Sequence, residues 1–286
     1  MNYKDDFKNL IKGITYNPLL RSIVRKLGLT KVFRKWYFLL AKPKTGIISY
    51  DISGVKAELY TKTPGELRLL ESMGGAGKGE KLILEKLISE TKEGDIVYDV
   101  GANIGLYSIF LAKKVSEKGK VVVFEPEKEN YAHLLDNIKL NNQKNILYYN
   151  IALGENNYSA KLYIGGAMGD KGGEMGNCSI IKSGGLENVK YEMVEVVSCD
   201  DFYKKNDLPV PNIIKIDVEG FEFSVLKGMK EILKNPECRI VCCEVHKTIL
   251  PDGILTEDII SFIRSFNFKK IDIYNREEEN HLICYK

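Results

Sequence analysis

With 286 residues, 44% of them hydrophobic and 28% charged, the chain is long enough for one large α/β domain with an appendage, and this composition excludes a disordered polymer. The net charge of +3 is unevenly spread: residues 1–44 carry eleven Lys or Arg against Asp5 and Asp6, a balance of +9, which leaves the remainder at −6. The cysteines (Cys178, Cys199, Cys238, Cys242, Cys243, Cys284) form no C-x-x-C pair and the histidines (His133, His246, His281) do not cluster, so neither a zinc site nor a disulfide framework is indicated.

No apolar run approaches the roughly 18 residues of a membrane span and no secretory signal opens the chain, so a reduced, cytoplasmic setting is expected. Residues 1–41 read as short helices broken at Gly13, Pro18 and Gly28, with Leu19, Leu20, Ile23, Val24 and Leu27 at helical spacing between Arg21, Arg25 and Lys26. Phe33 to Leu40 mixes aromatics with cations. Residues 1–44 therefore read either as a peripheral contact with an anionic membrane or as a cationic helical lid packed on the domain.

Ile47–Ile52 and Val55–Tyr60 flank Ser53-Gly54 as a hairpin, and Thr63-Pro64-Gly65-Glu66 opens a helix. Gly74 to Gly79 lacks the preceding strand and the Gly-Lys-Ser/Thr of a phosphate loop, and reads as a linker. Residues 1–80 are thus expected to form a basic helical extension with a small hairpin, and 81–286 the main domain, beginning with a helix over Lys81–Glu90.

From Asp95 the pattern alternates strand and helix, the signature of a mostly parallel sheet covered on both faces. The strand Ile96–Val100 carries Asp99 at its carboxyl end and runs through Gly101 and Gly105 into a helix from Leu106. Such a turn lets backbone approach a ligand closely. Gly101-Ala-Asn-Ile-Gly105 supplies only G-x-x-x-G, not the dinucleotide fingerprint. An exposed Asp99 beside the turn would repel a pyrophosphate and suit a sulfonium, which favours S-adenosyl-L-methionine over NAD or ATP. About 20 residues on, Glu125 ends the strand Val121–Glu125, where a carboxylate can accept from both ribose hydroxyls. The alternative is that Asp99 and Glu125 cap the following helices.

A helix over Lys128–Leu140 and a strand over Ile146–Asn150 complete the third βα unit. Residues 155–198 break the rhythm. Lys161–Ile164 and Glu192–Val197 look like strands around a glycine-rich loop, Gly165 to Gly185, which reads as a substrate-binding insertion or a disordered excursion. Cys178 in that loop is rejected as a nucleophile, because methyl transfer from a sulfonium needs no covalent enzyme intermediate. The sheet then resumes with Ile213–Ile216, a helix from about Phe221 to Leu233, the strand Arg239–Val245, a helix near Thr256–Phe266, and an antiparallel closing pair, Lys269–Tyr274 and His281–Tyr285.

Asp99-Val-Gly-Ala-Asn-Ile-Gly105, Phe124-Glu125-Pro126, Ala152-Leu-Gly154 and Ile214-Lys-Ile-Asp-Val-Glu-Gly220, in this order, resemble the FkbM-type family of S-adenosylmethionine-dependent methyltransferases. The resemblance covers roughly Lys81 to His246. It implies a class I methyltransferase (Rossmann-like) fold of seven strands in order 3-2-1-4-5-7-6, and methylation of hydroxyls on sugars or secondary metabolites. The expected cofactor contacts are Asp99, Gly101, Ala102, Asn103, Gly105, Glu125, Ala152 and Asp217.

Asp217 and His246 end strands near the point where the sheet order reverses, and are the catalytic candidates. Asp217 could orient the acceptor hydroxyl, take its proton, or hold a divalent cation that does both; its alternative is a helix N-cap. His246, on the same side as Glu244, could serve as a base or be structural. Glu219 is expected at backbone or the helix start, and the role of Lys215 is open. The expected acceptor is a hydroxyl-bearing small molecule or glycan. A nucleic-acid methyltransferase is disfavoured by the acidic main domain and the missing Asn-Pro-Pro-Tyr-type base pocket, and a non-catalytic S-adenosylmethionine-binding protein by the intact Asp217 and His246.

Overall fold

Four short runs rich in β-branched and aromatic residues supply the first four of the five parallel strands around which the chain folds: β3 (Ile96–Val100), β4 (Lys120–Phe124), β5 (Ile146–Tyr149) and β10 (Ile213–Ile216). The computed structural model describes residues 26–27, 29–73, 79–164, 178–180, 190–276 and 279–286. The helices expected over residues 1–25, nearly all of the glycine linker at 74–79 and most of the Gly165–Gly185 loop lie outside the described residues.

With β11 (Ile240–Val245), β12 (Lys270–Asn275) and β13 (Asn280–Tyr285), these strands form a seven-stranded sheet in the order β5-β4-β3-β10-β11-β13-β12. Only β13 runs antiparallel to both of its neighbours. Numbered within the sheet, this is 3-2-1-4-5-7-6, the class I methyltransferase order.

Strand alternation divides the core in two. Val97, Val121 and Ile213 face α3 (Glu80–Glu90), α4 (Leu106–Val115) and α5 (Lys128–Leu140). Tyr98, Val122 and Ile214 face the opposite layer, which includes α9 (Thr256–Arg264). The hairpin β1 (Ile47–Ile52) and β2 (Val55–Tyr60) adds Ile52, Ala57 and Leu59 to the first core. Helix α1 (Thr30–Ala41) places Tyr37 against Leu67 of α2 (Pro64–Ser72) and leaves Val32, Trp36 and Leu39 exposed. The helix opens at Pro64 as the sequence predicts, and Thr63 and Glu66 cap it reciprocally.

Two features depart from the expected elements. A second sheet, β6-β9-β7-β8, joins β6 (Ala152–Gly154) in parallel to β9 (Tyr191–Ser198), with β7 (Tyr158–Ile164) and the short β8 (Cys178–Ser179) antiparallel beyond it; α6 (Cys199–Lys205) follows. The single helix expected from Phe221 to Leu233 is split into α7 (Glu222–Lys227) and α8 (Lys230–Lys234). The break sits at Gly228, whose backbone lies so close to Gly154 that an added Cβ would stand 1.9 Å from the Gly154 carbonyl oxygen.

Candidate active site

The parallel register of β3 and β10 sets Lys215 opposite Asp99. Asp99 is fully buried, which corrects the expectation of an exposed carboxylate. Ser108 donates to its Oδ2 at 2.5 Å, and Lys215 Nζ lies 3.4 Å from its Oδ1. Lys215 also donates to the Gly101 carbonyl at 3.2 Å and lies 3.3 Å from Asp217 Oδ2. Burial works against its charge, but Asp217 and Asp99 outweigh this and raise its pKa, so it stays cationic. Asp99 is thereby neutralised in place and cannot be the group that selects a sulfonium. Of the two carboxylates that Lys215 pairs with, Asp217 is the one that lines the open cleft.

That cleft holds about 660 Å³ of empty space, open solvent included. It opens at the carboxyl ends of β3, β4 and β10, and Gly101, Asn103, Glu125, Ala152 and Asp217 line it. The other expected contacts sit behind. Ala102 and Asp99 are buried, and Gly105 packs so closely that an added Cβ would stand 2.4 Å from Leu134 Cδ1. At Gly101, φ is +77° and a Cβ would lie 1.8 Å from the Asp217 carbonyl oxygen, so only glycine fits between the two strand ends.

Glu125 accepts backbone N–H groups from Asn103 at 2.7 Å and Glu127 at 2.9 Å, one on each oxygen. It thus braces the glycine turn as well as facing the cleft. Each oxygen keeps one lone pair, which suits a ribose diol. Burial pushes its pKa up to about 7, against the lowering effect of the two backbone donors. Ile151, Leu153 and Phe221 supply apolar wall, and Cys178 and Ile180 line the cleft beside them. Burial raises the Cys178 thiol, which agrees with its rejection as a nucleophile.

Beside the cleft the carboxyl ends of β10 and β11 bring Asp217, Glu244 and His246 together. Glu222 Oε1 lies 2.7 Å from His246 Nδ1; Nε2 lies 3.6 Å from Glu219 Oε2, and 3.9 Å from Asp217 Oδ1 and from Glu244 Oε1. Burial disfavours its charge, but the Glu222 hydrogen bond and the facing carboxylates prevail and raise its pKa to about 10. A histidine so placed holds its proton at neutral pH, which counts against its expected use as a base. Asp217 is no helix cap: Phe221 occupies the N-cap of α7 without a side-chain bond, and Glu222 accepts from Gly220 N at 2.9 Å.

Lys215 and Glu222, central to this geometry, carried no role in the sequence reading. The signals were there. Lys215 lies two residues before Asp217 at the end of one strand, hence on the same side, and Glu222 opens the helix that follows Glu219.

Residues 99–270 match the model of the methyltransferase FkbM domain. The chain belongs to the FkbM methyltransferase family. This family member is accordingly a methyltransferase whose methyl donor is S-adenosyl-L-methionine. It is 28% identical over 241 residues to hexuronic acid methyltransferase AglP of Haloferax volcanii, covering 82% of this chain and 87% of that protein. It is 25% identical over 152 residues to methyltransferase 1 of Beauveria bassiana, covering 49% of this chain and 60% of that one. Similar solved structures include a precorrin-6y C5,15-methyltransferase from Geobacter metallireducens, with 10% identity, TM-score 0.44 and coverage of 73% and 89%. A putative rRNA methylase from Clostridium thermocellum has 11% identity, TM-score 0.46 and coverage of 74% and 97%.

Proposed function

We propose that this methyltransferase acts on a hydroxyl of a glycan or glycolipid, with a hexuronic acid or a related sugar as the acceptor class. The printed activity of the Haloferax volcanii relative, matched over most of both chains, supports the acceptor. One observation carries the reading of the site: Asp217 lines the cleft with one oxygen toward Lys215 and the other toward His246. S-adenosyl-L-methionine supplies an electrophilic methyl group on a sulfonium. Glu125 and the backbone of Gly101 and Asn103 hold the donor, with Ala152 on the opposite wall. Asp99, Ala102 and Gly105 act from behind by fixing the turn.

Asp217 is the acceptor-side group. Burial opposes its ionisation, but Lys215 and His246 lower its pKa, so a carboxylate is present to receive a hydrogen bond from the acceptor hydroxyl. His246 keeps that carboxylate aimed from the far side. Asp217→Asn is expected to lower turnover by about 10²- to 10⁴-fold while leaving donor affinity nearly unchanged. Turnover on a hexuronate-bearing glycan and calorimetry with the donor separate the two effects. A near-wild-type rate would remove Asp217 from the mechanism.

Helix α1 supports a contact with anionic membrane. Val32, Trp36 and Leu39 form an exposed apolar stripe at i, i+4, i+7 spacing, next to the exposed Lys35, within the basic residues 1–44. Among the described residues no helix is long and apolar enough to cross a membrane.

A further inference from the structure

We propose that Asp217, Glu244 and His246 hold a divalent cation in the wall of the cleft. One donor atom from each of these residues lies within 4.8 Å of the others. Glu222 fixes the His246 ring through Nδ1 and so turns Nε2 toward Asp217 Oδ1 and Glu244 Oε1, the arrangement by which a carboxylate orients a metal-binding imidazole; an ion there takes the place of the Nε2 proton, which leaves to solvent. The two separations from His246 Nε2 are 3.9 Å and the third lies within 4.8 Å, against roughly 3 Å between neighbouring donors about 2.1 Å from an ion, so binding draws the side chains inward by about 1–2 Å.

An independent observation comes from His281. Its side chain is 2% exposed, and neither ring nitrogen makes a hydrogen bond. Nε2 lies 2.9 Å from Glu244 Oε2, outside hydrogen-bond geometry, and 4.0 Å from Glu80 Oε1. A buried imidazole in that condition calls for a partner other than the protein. Glu80, Glu244 and His281 form a second donor set that shares Glu244 with the first, so His281 is aimed into the same cluster.

The fixed cations nearby are already committed. Lys215 takes the other oxygen of Asp217, and Arg276 pairs with Glu80 and Glu279. Against these two and the protonated His246 stand Glu80, Asp217, Glu219, Glu222, Glu244 and Glu279. A mixed imidazole and carboxylate set suits a first-row transition ion such as Mn²⁺ or Zn²⁺ better than an ion that wants oxygen alone. The use of the ion rests on the methyl-transfer reading: beside Asp217 it would ligate the acceptor hydroxyl, lower its pKa, and offset an acidic wall that otherwise repels an anionic sugar.

The test is titration of the metal-stripped full chain with Mn²⁺, followed by the electron paramagnetic resonance of free Mn²⁺ and by calorimetry with Mn²⁺ and with Zn²⁺. One equivalent should bind, and Glu244→Gln and His246→Gln should each weaken it by about 10- to 100-fold or more. Should either variant fail to fold, the wild-type chain still reports, since bound cation must raise its melting temperature. No binding at about 1 mM of either ion, or binding unchanged in a folded Glu244→Gln, overturns the inference. Donor titrations on the same samples separate the two readings. Donor bound without cation sinks this inference alone, whereas cation bound without donor supports it and sinks the methyl-transfer reading.

Discussion

Lys215→Met tests the arrangement at its centre. Lys215 Nζ lies within 3.4 Å of Asp99 Oδ1, Asp217 Oδ2 and the Gly101 carbonyl oxygen, and Asp99 has no solvent exposure. Methionine fills a similar volume but leaves Asp99 with Ser108 as its remaining partner. Removing one member of a buried ion pair costs about 3–5 kcal/mol, because the other charge is left uncompensated. An unfolding entropy near 2.1 cal/mol/K per residue over 286 residues converts that loss into a fall in Tm of about 5–8 °C. Adding Asp99→Asn removes the stranded charge and keeps an acceptor for Ser108, so the double variant should be more stable than the two single losses predict by at least about 1 kcal/mol. Scanning calorimetry on metal-stripped wild type and the three variants measures the cycle. A folded Lys215→Met within about 0.5 kcal/mol of wild type, or strict additivity, would refute the pairing argument.

The raised pKa of Glu125, about 7, makes donor binding pH-dependent. From pH 6 to pH 8 its ionised fraction rises from about one tenth to nine tenths, so affinity should rise by up to about tenfold if the carboxylate accepts the ribose hydroxyls, and stay flat in Glu125→Gln. Calorimetry at the two pH values decides. For stability the sign is opposite: the folded state keeps a proton that the unfolded state releases above its normal carboxylate pKa, so this contribution is full at low pH and is lost as pH rises through about 7. Trp36→Asp combined with Leu39→Asp should abolish flotation with anionic vesicles without altering donor affinity, and equal flotation of variant and wild type would exclude the membrane contact.

The sheet was legible because its strands announce themselves locally. Ile96–Val100 and Ile213–Ile216 are short apolar runs closed by Asp, Gly or both, and the glycine turn after β3 has one workable conformation. The closeness of Asp217, Glu244 and His246 also followed, from strand ends, period-two alternation and the strand order that the family resemblance implies. What failed depended on partners distant in sequence. The burial of Asp99 follows from the β3–β10 register, which sets Lys215 across from it 116 residues later, and the gap between α7 and α8 follows from the Gly154 carbonyl. β6 spans only Ala152–Gly154, and its pairing with β9 is invisible in so short a run.

Two side-chain amides of α5 give the hairpin a further consequence. Asn137 accepts from Tyr60 N at 2.9 Å and donates to the Ile104 carbonyl at 2.7 Å, while Asn141 accepts from Glu58 N and donates back to the Glu58 carbonyl. The outer edge of β2 is thereby occupied by side chains that imitate a neighbouring strand, and cannot serve as a template on which another chain could zip up. The same Asn137 amide ties that edge to the residue just before Gly105. A tug on the hairpin therefore reaches the glycine turn of the cleft through one rigid planar group. Whatever docks on the N-terminal segment, at a membrane or elsewhere, holds a mechanical handle on the cleft.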